Sequence, residues 1–251
     1  MSKALGFSAQ WPAPAWVRTL STTRAGGVSE QGWESLNLGS RFGDDPAHVA
    51  ENRRRVSAAL GATPCWLHQV HGVAVAQVGA HNAEVEADAC VSRVTGAAAV
   101  VLTADCMPLL FCHQRERVVA AAHAGWRGMA GGVIEATVRA MAVDPAGILA
   151  WLGPTIGRDA FEVGDEVRAA FLASDPEAGE AFQPGAPGKW WADLYQLARL
   201  RLARIGVTQV YGGGFCTVTE PRFFSHRRDR GVTGRMGNFI WMVQDFQGPP
   251  V

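Results

Sequence analysis

Apolar residues recur along this chain with two different periods, and each change of period marks a boundary between elements. From Pro46 to Leu60 the apolar positions Val49, Val56 and Leu60 fall on one helical stripe. Asp45 is placed to cap that helix, Pro46 suits its first position, and Gly61 ends it. Further helices are predicted over Ala130–Met141, Gly164–Ala173 and Asp193–Ile205, the last with Gly206 as its stop. Extended apolar runs lie at Val17–Thr23, Val73–Val78, Ala97–Thr103, Leu109–Cys112, Val118–His123, Gln209–Tyr211 and Phe239–Val243. Strands outnumber helices and do not alternate with them in strict βαβ order, so the pattern predicts an α+β fold of mixed or antiparallel sheets covered by helices. Pro and Gly crowd into Ser174–Gly188, which reads as a surface loop. No repeat or low-complexity linker interrupts the chain, and residues 1–251 read as one domain.

Two of the runs, MPLLFC and VVAAAH, flank the polar turn HQRER and predict a hairpin. A turn centred on Gln114 and Arg115 would set Cys106 directly across from His123, with Cβ atoms about 5 Å apart. Pro108 predicts a local bulge.

Composition narrows the function classes. The 251 residues are 48% hydrophobic and 18% charged, enough to bury a large core. Lys plus Arg and Asp plus Glu number 23 each, so no net field is available to hold nucleic acid or an anionic membrane. The opening MSKALGFSAQWPAP lacks the apolar core of a signal peptide, and no run of about 18 apolar residues occurs. A cytoplasmic protein is expected. Its five cysteines are odd in number and contain no CxxC, which suits free thiols better than a disulfide framework or a zinc knuckle.

The chemistry concentrates in HQVHG (68–72), TADCMP (103–108) and AHAGWRG (122–128). A thiolate with two imidazoles is a ligand set for zinc or copper, and three protein ligands leave the fourth position free, as a catalytic zinc requires. Positions 68 and 71 face opposite sides of a strand but share a face of a helix, so the pattern alone leaves open which histidine points inward. AHAGWRGMAGG adds a strand end, a glycine-rich turn bearing Arg127 and then a helix, an arrangement that can hold an anion. The run FFSHRRDRGVTGR places His226, Arg227, Arg228, Asp229 and Arg235 close together as a second source of cations.

These segments, together with TTRAGGVS, SLNLG, GDD, GPTIG, FEVGDEV and FFSHRRD, match in order and spacing those of the YfiH-type laccase-domain family of purine nucleoside phosphorylases. The chain resembles that family over nearly its whole length. The resemblance implies a single-domain α+β sandwich with a zinc site at His71, Cys106 and His123, copper being the alternative occupant. His68 is the position the family does not use as a ligand. It implies cleavage of adenosine, inosine and methylthioadenosine by phosphate, and deamination of adenosine, in a monomer or homodimer. Substrate-binding roles are implied for Arg24, Asn37, Arg127 and Arg227. Where this chain has His226 the family often carries Tyr, and that residue takes no role. For deamination, zinc acidifies a bound water. The usual deaminase motif, H-x-E with P-C-x-x-C, is absent, so Asp105 beside the thiolate is the acid/base candidate.

Three other classes stay in view. A multicopper phenol oxidase needs a second, His-rich copper cluster that seven histidines without a His-x-His pair do not supply. A Cys–His hydrolase, with Cys106 as nucleophile and His123 as base, would act on cell-wall precursors. A non-catalytic interaction protein leaves three convergent ligand-type residues unexplained.

Overall fold

A computed structural model describes residues 5–79 and 84–244. Two sheets dominate. The first has five strands in the order Gly6–Phe7, Val17–Thr22, Met236–Met242, Ala97–Thr103 and Thr63–Cys65. The second has six: Gln209–Gly212, Ile148–Leu152, Met107–His113, Val119–Ala124, Ala89–Ser92 and Val75–Gln77. Most neighbours are antiparallel, but Thr63–Cys65, Gln209–Gly212 and Val75–Gln77 pair in parallel, so both sheets are mixed.

Side-chain alternation sorts the core into layers. Val17, Ala99, Val101 and Ile240 of the first sheet meet Leu110, Cys112, Ala121 and Trp151 of the second in one cluster between the sheets. On the outer face of the second sheet Leu109, Phe111, Ala120 and Ala122 pack under Val133, Ile134, Phe171 and Leu197 of the helices Val133–Met141, Asp165–Leu172 and Leu194–Arg204. On the outer face of the first, Val100, Phe239 and Trp241 pack under Val56 and Leu60 of the helix Pro46–Leu60. The α+β sandwich covered by helices is borne out. Strands buried on both faces have no polar positions to alternate, which is why these segments read as continuous apolar runs.

The helix Pro46–Leu60 has its expected bounds. Asp45 accepts from the Ala47 amide at 2.8 Å, and Gly61 closes it in the left-handed region at φ 61°. The element predicted over Ala130–Met141 is two helices, Trp126–Gly131 and Val133–Met141, because Gly132 at φ 99° breaks the helical path between them. The loop expected over Ser174–Gly188 holds a 3-10 turn, Pro176–Ala181, and a strand, Phe182–Pro184, whose Ala178, Ala181 and Phe182 are buried. The strands Ile148–Leu152 and Ala89–Ser92 lie outside the extended runs that the sequence pattern marks. No helix among the described residues is long and apolar enough to cross a membrane.

The hairpin forms with a different register. Its ladder sets His123 opposite Pro108 and Ala124 opposite Met107, so Cys106 lies one residue beyond the last pair. The turn is displaced because the buried His113 accepts the Arg115 and Glu116 amides on Nδ1, moving its centre one residue along the chain. The ladder passes through Pro108 without a break in register, so no bulge forms there.

One face of the helix Pro46–Leu60 fastens the segment that runs toward the site. The fully buried Asn52 accepts from the Val28 amide on Oδ1 and donates from Nδ2 to Ser29 Oγ and the Ser35 and Asn37 carbonyls. Asn52→Ala leaves several of these buried groups unmet and is expected to cost about 3 kcal/mol. A drop in the urea midpoint with unchanged slope is the measurement that checks it.

Candidate active site and metal centre

His71, Cys106 and His123 come together at one end of the six-stranded sheet, their donor atoms all within 4.8 Å of one another. Cys106 Sγ stands 3.8 Å from His71 Nε2, and the two imidazole rings meet edge-on at 4.7 Å between centroids.

Each of the three donor side chains is held from behind. His71 sits at φ 61°, a conformation few non-glycine residues adopt, because the amides of Val70, His71 and Gly72 all turn onto the Asp88 carboxylate at 3.1, 2.9 and 2.7 Å. Asp88 is fully buried, and its Oδ1 also lies 2.8 Å from His123 Nδ1. That contact orients the second imidazole with Nε2 left for the centre. Behind Cys106, Asp105 at φ 89° is clamped: its carboxylate accepts from Thr217 Oγ1 and, at 2.7 Å, from the Arg227 amide. Its carbonyl accepts from the Ile156 amide and Thr155 Oγ1. Space is equally constrained. A Cβ on Gly125 would lie 2.9 Å from both Cys106 Sγ and His71 Cδ2, so only glycine fits there.

The charges follow from this geometry. Burial opposes ionisation of Cys106, yet the His123 and His71 imidazoles outweigh it and pull the thiol well below its ordinary value. Burial likewise opposes protonation of His123, and the Cys106 sulfur with the Asp88 carboxylate reverses the sign, pushing the imidazole up. The other buried thiols behave oppositely, since burial alone raises Cys112 to about 12. Three donors of this kind fit a metal ion. Zinc bonds of about 2.3 Å to sulfur and 2.05 Å to nitrogen at a tetrahedral angle separate the two donors by about 3.6 Å, close to the 3.8 Å between Cys106 and His71.

The centre borders a cavity of about 570 Å³. Asp105, Arg127 and Arg227 line it, as do His68, Phe42, Trp126 and Arg235. Arg127 is exposed and stacks on Trp126 at 4.5 Å. Arg227 donates to the Ala160 and Glu162 carbonyls. Arg24 and Asn37 are not among the lining residues. Arg24 donates to the Glu34 carbonyl and covers the Phe224 ring, while the buried Asn37 is bound to Gly39, Asp44 and the Arg235 amide. Sequence reasoning missed Asp88 altogether: a lone Asp before a short strand carries no spacing signal.

The family model described as multi-copper polyphenol oxidoreductase laccase matches residues 18–243. The chain belongs to that family. It is 54% identical over 239 residues, 93% of this chain and 97% of the relative, to "Purine nucleoside phosphorylase YfiH" of Escherichia coli K12. It is 53% identical over 234 residues, 92% of this chain and 96% of the relative, to "Purine nucleoside phosphorylase PA4543" of Pseudomonas aeruginosa. The crystal structure of protein NMB0706 of Neisseria meningitidis superposes with a TM-score of 0.93 at 50% identity, covering 96% of this chain and all of that one. YlmD of Geobacillus stearothermophilus follows at 0.86 and 34%, covering 93% and 94%. In this member of the family, the described residues contain one group of three His, Cys, Asp or Glu placed to hold a metal.

Purified protein is expected to carry about one metal ion per chain. Cys106→Ala and His123→Ala should lose it and His68→Ala should keep it, while Asp88→Asn loosens it about 10- to 100-fold through the freed His123 ring. Elemental analysis and chelator competition read all four.

Proposed function

We propose that this chain is a metal-dependent purine nucleoside phosphorylase of the cytoplasm that cleaves adenosine, inosine and methylthioadenosine with phosphate and also deaminates adenosine. The observation that carries the reading is a cavity with the Cys106 centre on one side and guanidinium groups and aromatic rings on the others. The names of the similar proteins support it. Trp126 and Phe161 offer faces for a purine, and Arg127 and Arg227 offer cations for phosphate. His71, Cys106 and His123 would hold the metal, zinc in our reading with copper as the alternative, which supplies Lewis acidity and an acidified water. Asp105 borders both cavity and centre. Each of its oxygens accepts one hydrogen bond and keeps a lone pair, so it is the group we assign to carry a proton during deamination.

The depressed Cys106 thiol beside His123 also suits a Cys–His hydrolase working on cell-wall precursors. Full metal content in Cys106→Ala would favour it.

Incubated with adenosine, the protein is expected to release adenine only when phosphate is present and inosine with or without it, because phosphate is the nucleophile in one reaction and water in the other. Chromatography in phosphate and in phosphate-free buffer decides. Free ribose in both buffers would mean a hydrolase, and oxygen uptake with a phenol would mean an oxidase. Arg127→Ala, removing an exposed cation worth about 1 kcal/mol, should raise the phosphate KM about fivefold and leave the adenosine KM nearly unchanged.

A further inference from the structure

Five guanidinium groups border the cavity, and their partners set one apart. Arg53 and Arg41 share Glu84 at 2.7 and 3.7 Å. Arg227 is bound to two carbonyls, and Arg127 stands in solvent on Trp126. Arg235 is half-buried, and no carboxylate pairs with it among the described residues. Its Nη1 donates to the Thr233 and Gly234 carbonyls, each at 3.0 Å, which leaves Nε and Nη2 without a protein acceptor there. The Phe42 ring lies 3.6 Å from the guanidinium carbon.

This arrangement is built by two segments, residues 33–42 and 233–235. Asn37 Oδ1 accepts the Arg235 amide at 2.8 Å, and Trp33 Nε1 holds the Phe42 carbonyl at 2.9 Å. Gly39 lets ring and guanidinium stack, since a Cβ there would lie 2.5 Å from the ring and 2.8 Å from Arg235 Cγ. The Cys106 sulfur and the Asp105 carboxylate act on this charge without forming an ion pair with it, burial still opposes it, and an aromatic face returns only part of that cost. A fixed cation with its Nε–H and both Nη2–H bonds free on a cavity wall is the complement of a tetrahedral oxyanion, and its rigidity spares the ordering entropy of binding.

We propose that Arg235, on its Phe42 platform, receives the phosphate in this cavity, and that Arg127 at the exposed wall draws the anion in. The inference rests on the phosphorolytic reading for the anion's identity as inorganic phosphate.

Calorimetric titration of inorganic phosphate at constant ionic strength, with initial rates of adenosine cleavage, tests it on metal-loaded wild type, Arg235→Gln, Arg235→Lys and Phe42→Ala. Arg235→Gln should weaken phosphate binding and raise the phosphate KM about 10- to 100-fold with the adenosine KM within about twofold. Arg235→Lys, which keeps charge but not the fork, should recover part of the loss. Wild-type phosphate affinity in Arg235→Gln, or equal rises in both KM values, overturns the proposal. Should Arg235→Gln lose its cooperative melting transition, Phe42→Ala at a partly exposed position carries the test: a severalfold rise in the phosphate KM supports the platform, and none overturns it. Wild-type protein that binds phosphate through Arg235 yet leaves adenosine intact removes the phosphorolytic reading and keeps the anion site. Phosphorolysis indifferent to Arg235 does the reverse.

Discussion

The site depends on one buried carboxylate. Asp88 has no exposed surface and, among the described residues, no Lys or Arg paired with it, so its charge is tolerated because backbone amides and an imidazole surround it. A carboxylate in that position is stable when every lone pair facing protein is met, and here three consecutive amides and His123 Nδ1 meet them. The same bonds impose the left-handed turn at His71 and the ring orientation of His123. One group thus places two of the three donors, from segments 17 and 35 residues away.

The third donor comes from the opposite direction. Cys106 lies just past the end of the hairpin ladder, and Asp105 pins its backbone to Thr155, Ile156, Thr217 and Arg227. With Asp88 behind the imidazoles and Asp105 behind the thiol, the cluster is closed on the protein side and open toward the cavity. Gly125 and the helix that begins at Trp126 follow at once, so the strand that carries His123 also delivers Trp126 and Arg127 to the cavity wall.

Around the opening the guanidinium groups divide by partner. Arg41 and Arg53 share the single Glu84 carboxylate, and Arg227 is committed to carbonyls that brace the Phe161 loop. Arg24 and Asn37 work one layer out, fastening the strand ends and the Arg235 backbone from outside the cavity. The walls therefore combine cations with aromatic faces.

Much of this was legible from residue order. The capped helix Pro46–Leu60, the buried runs of the two sheets, the hairpin and the three ligand-bearing segments are written in neighbouring residues, because periodicity, caps and turns act over a few positions. What tertiary structure decided are contacts between distant segments. The hairpin register followed a buried His113, and the placement of His71 beside Cys106 and His123 followed Asp88. Arg235 lies under the Phe42 ring with no carboxylate in direct ion-pair contact among the described residues, while Asp105 and Cys106 act on it from further off. Such facts concern which groups remain unpaired once the chain has closed on itself, and a linear pattern holds no record of that: desolvation and hydrogen-bond satisfaction are properties of the assembled neighbourhood, not of any residue's place in the sequence.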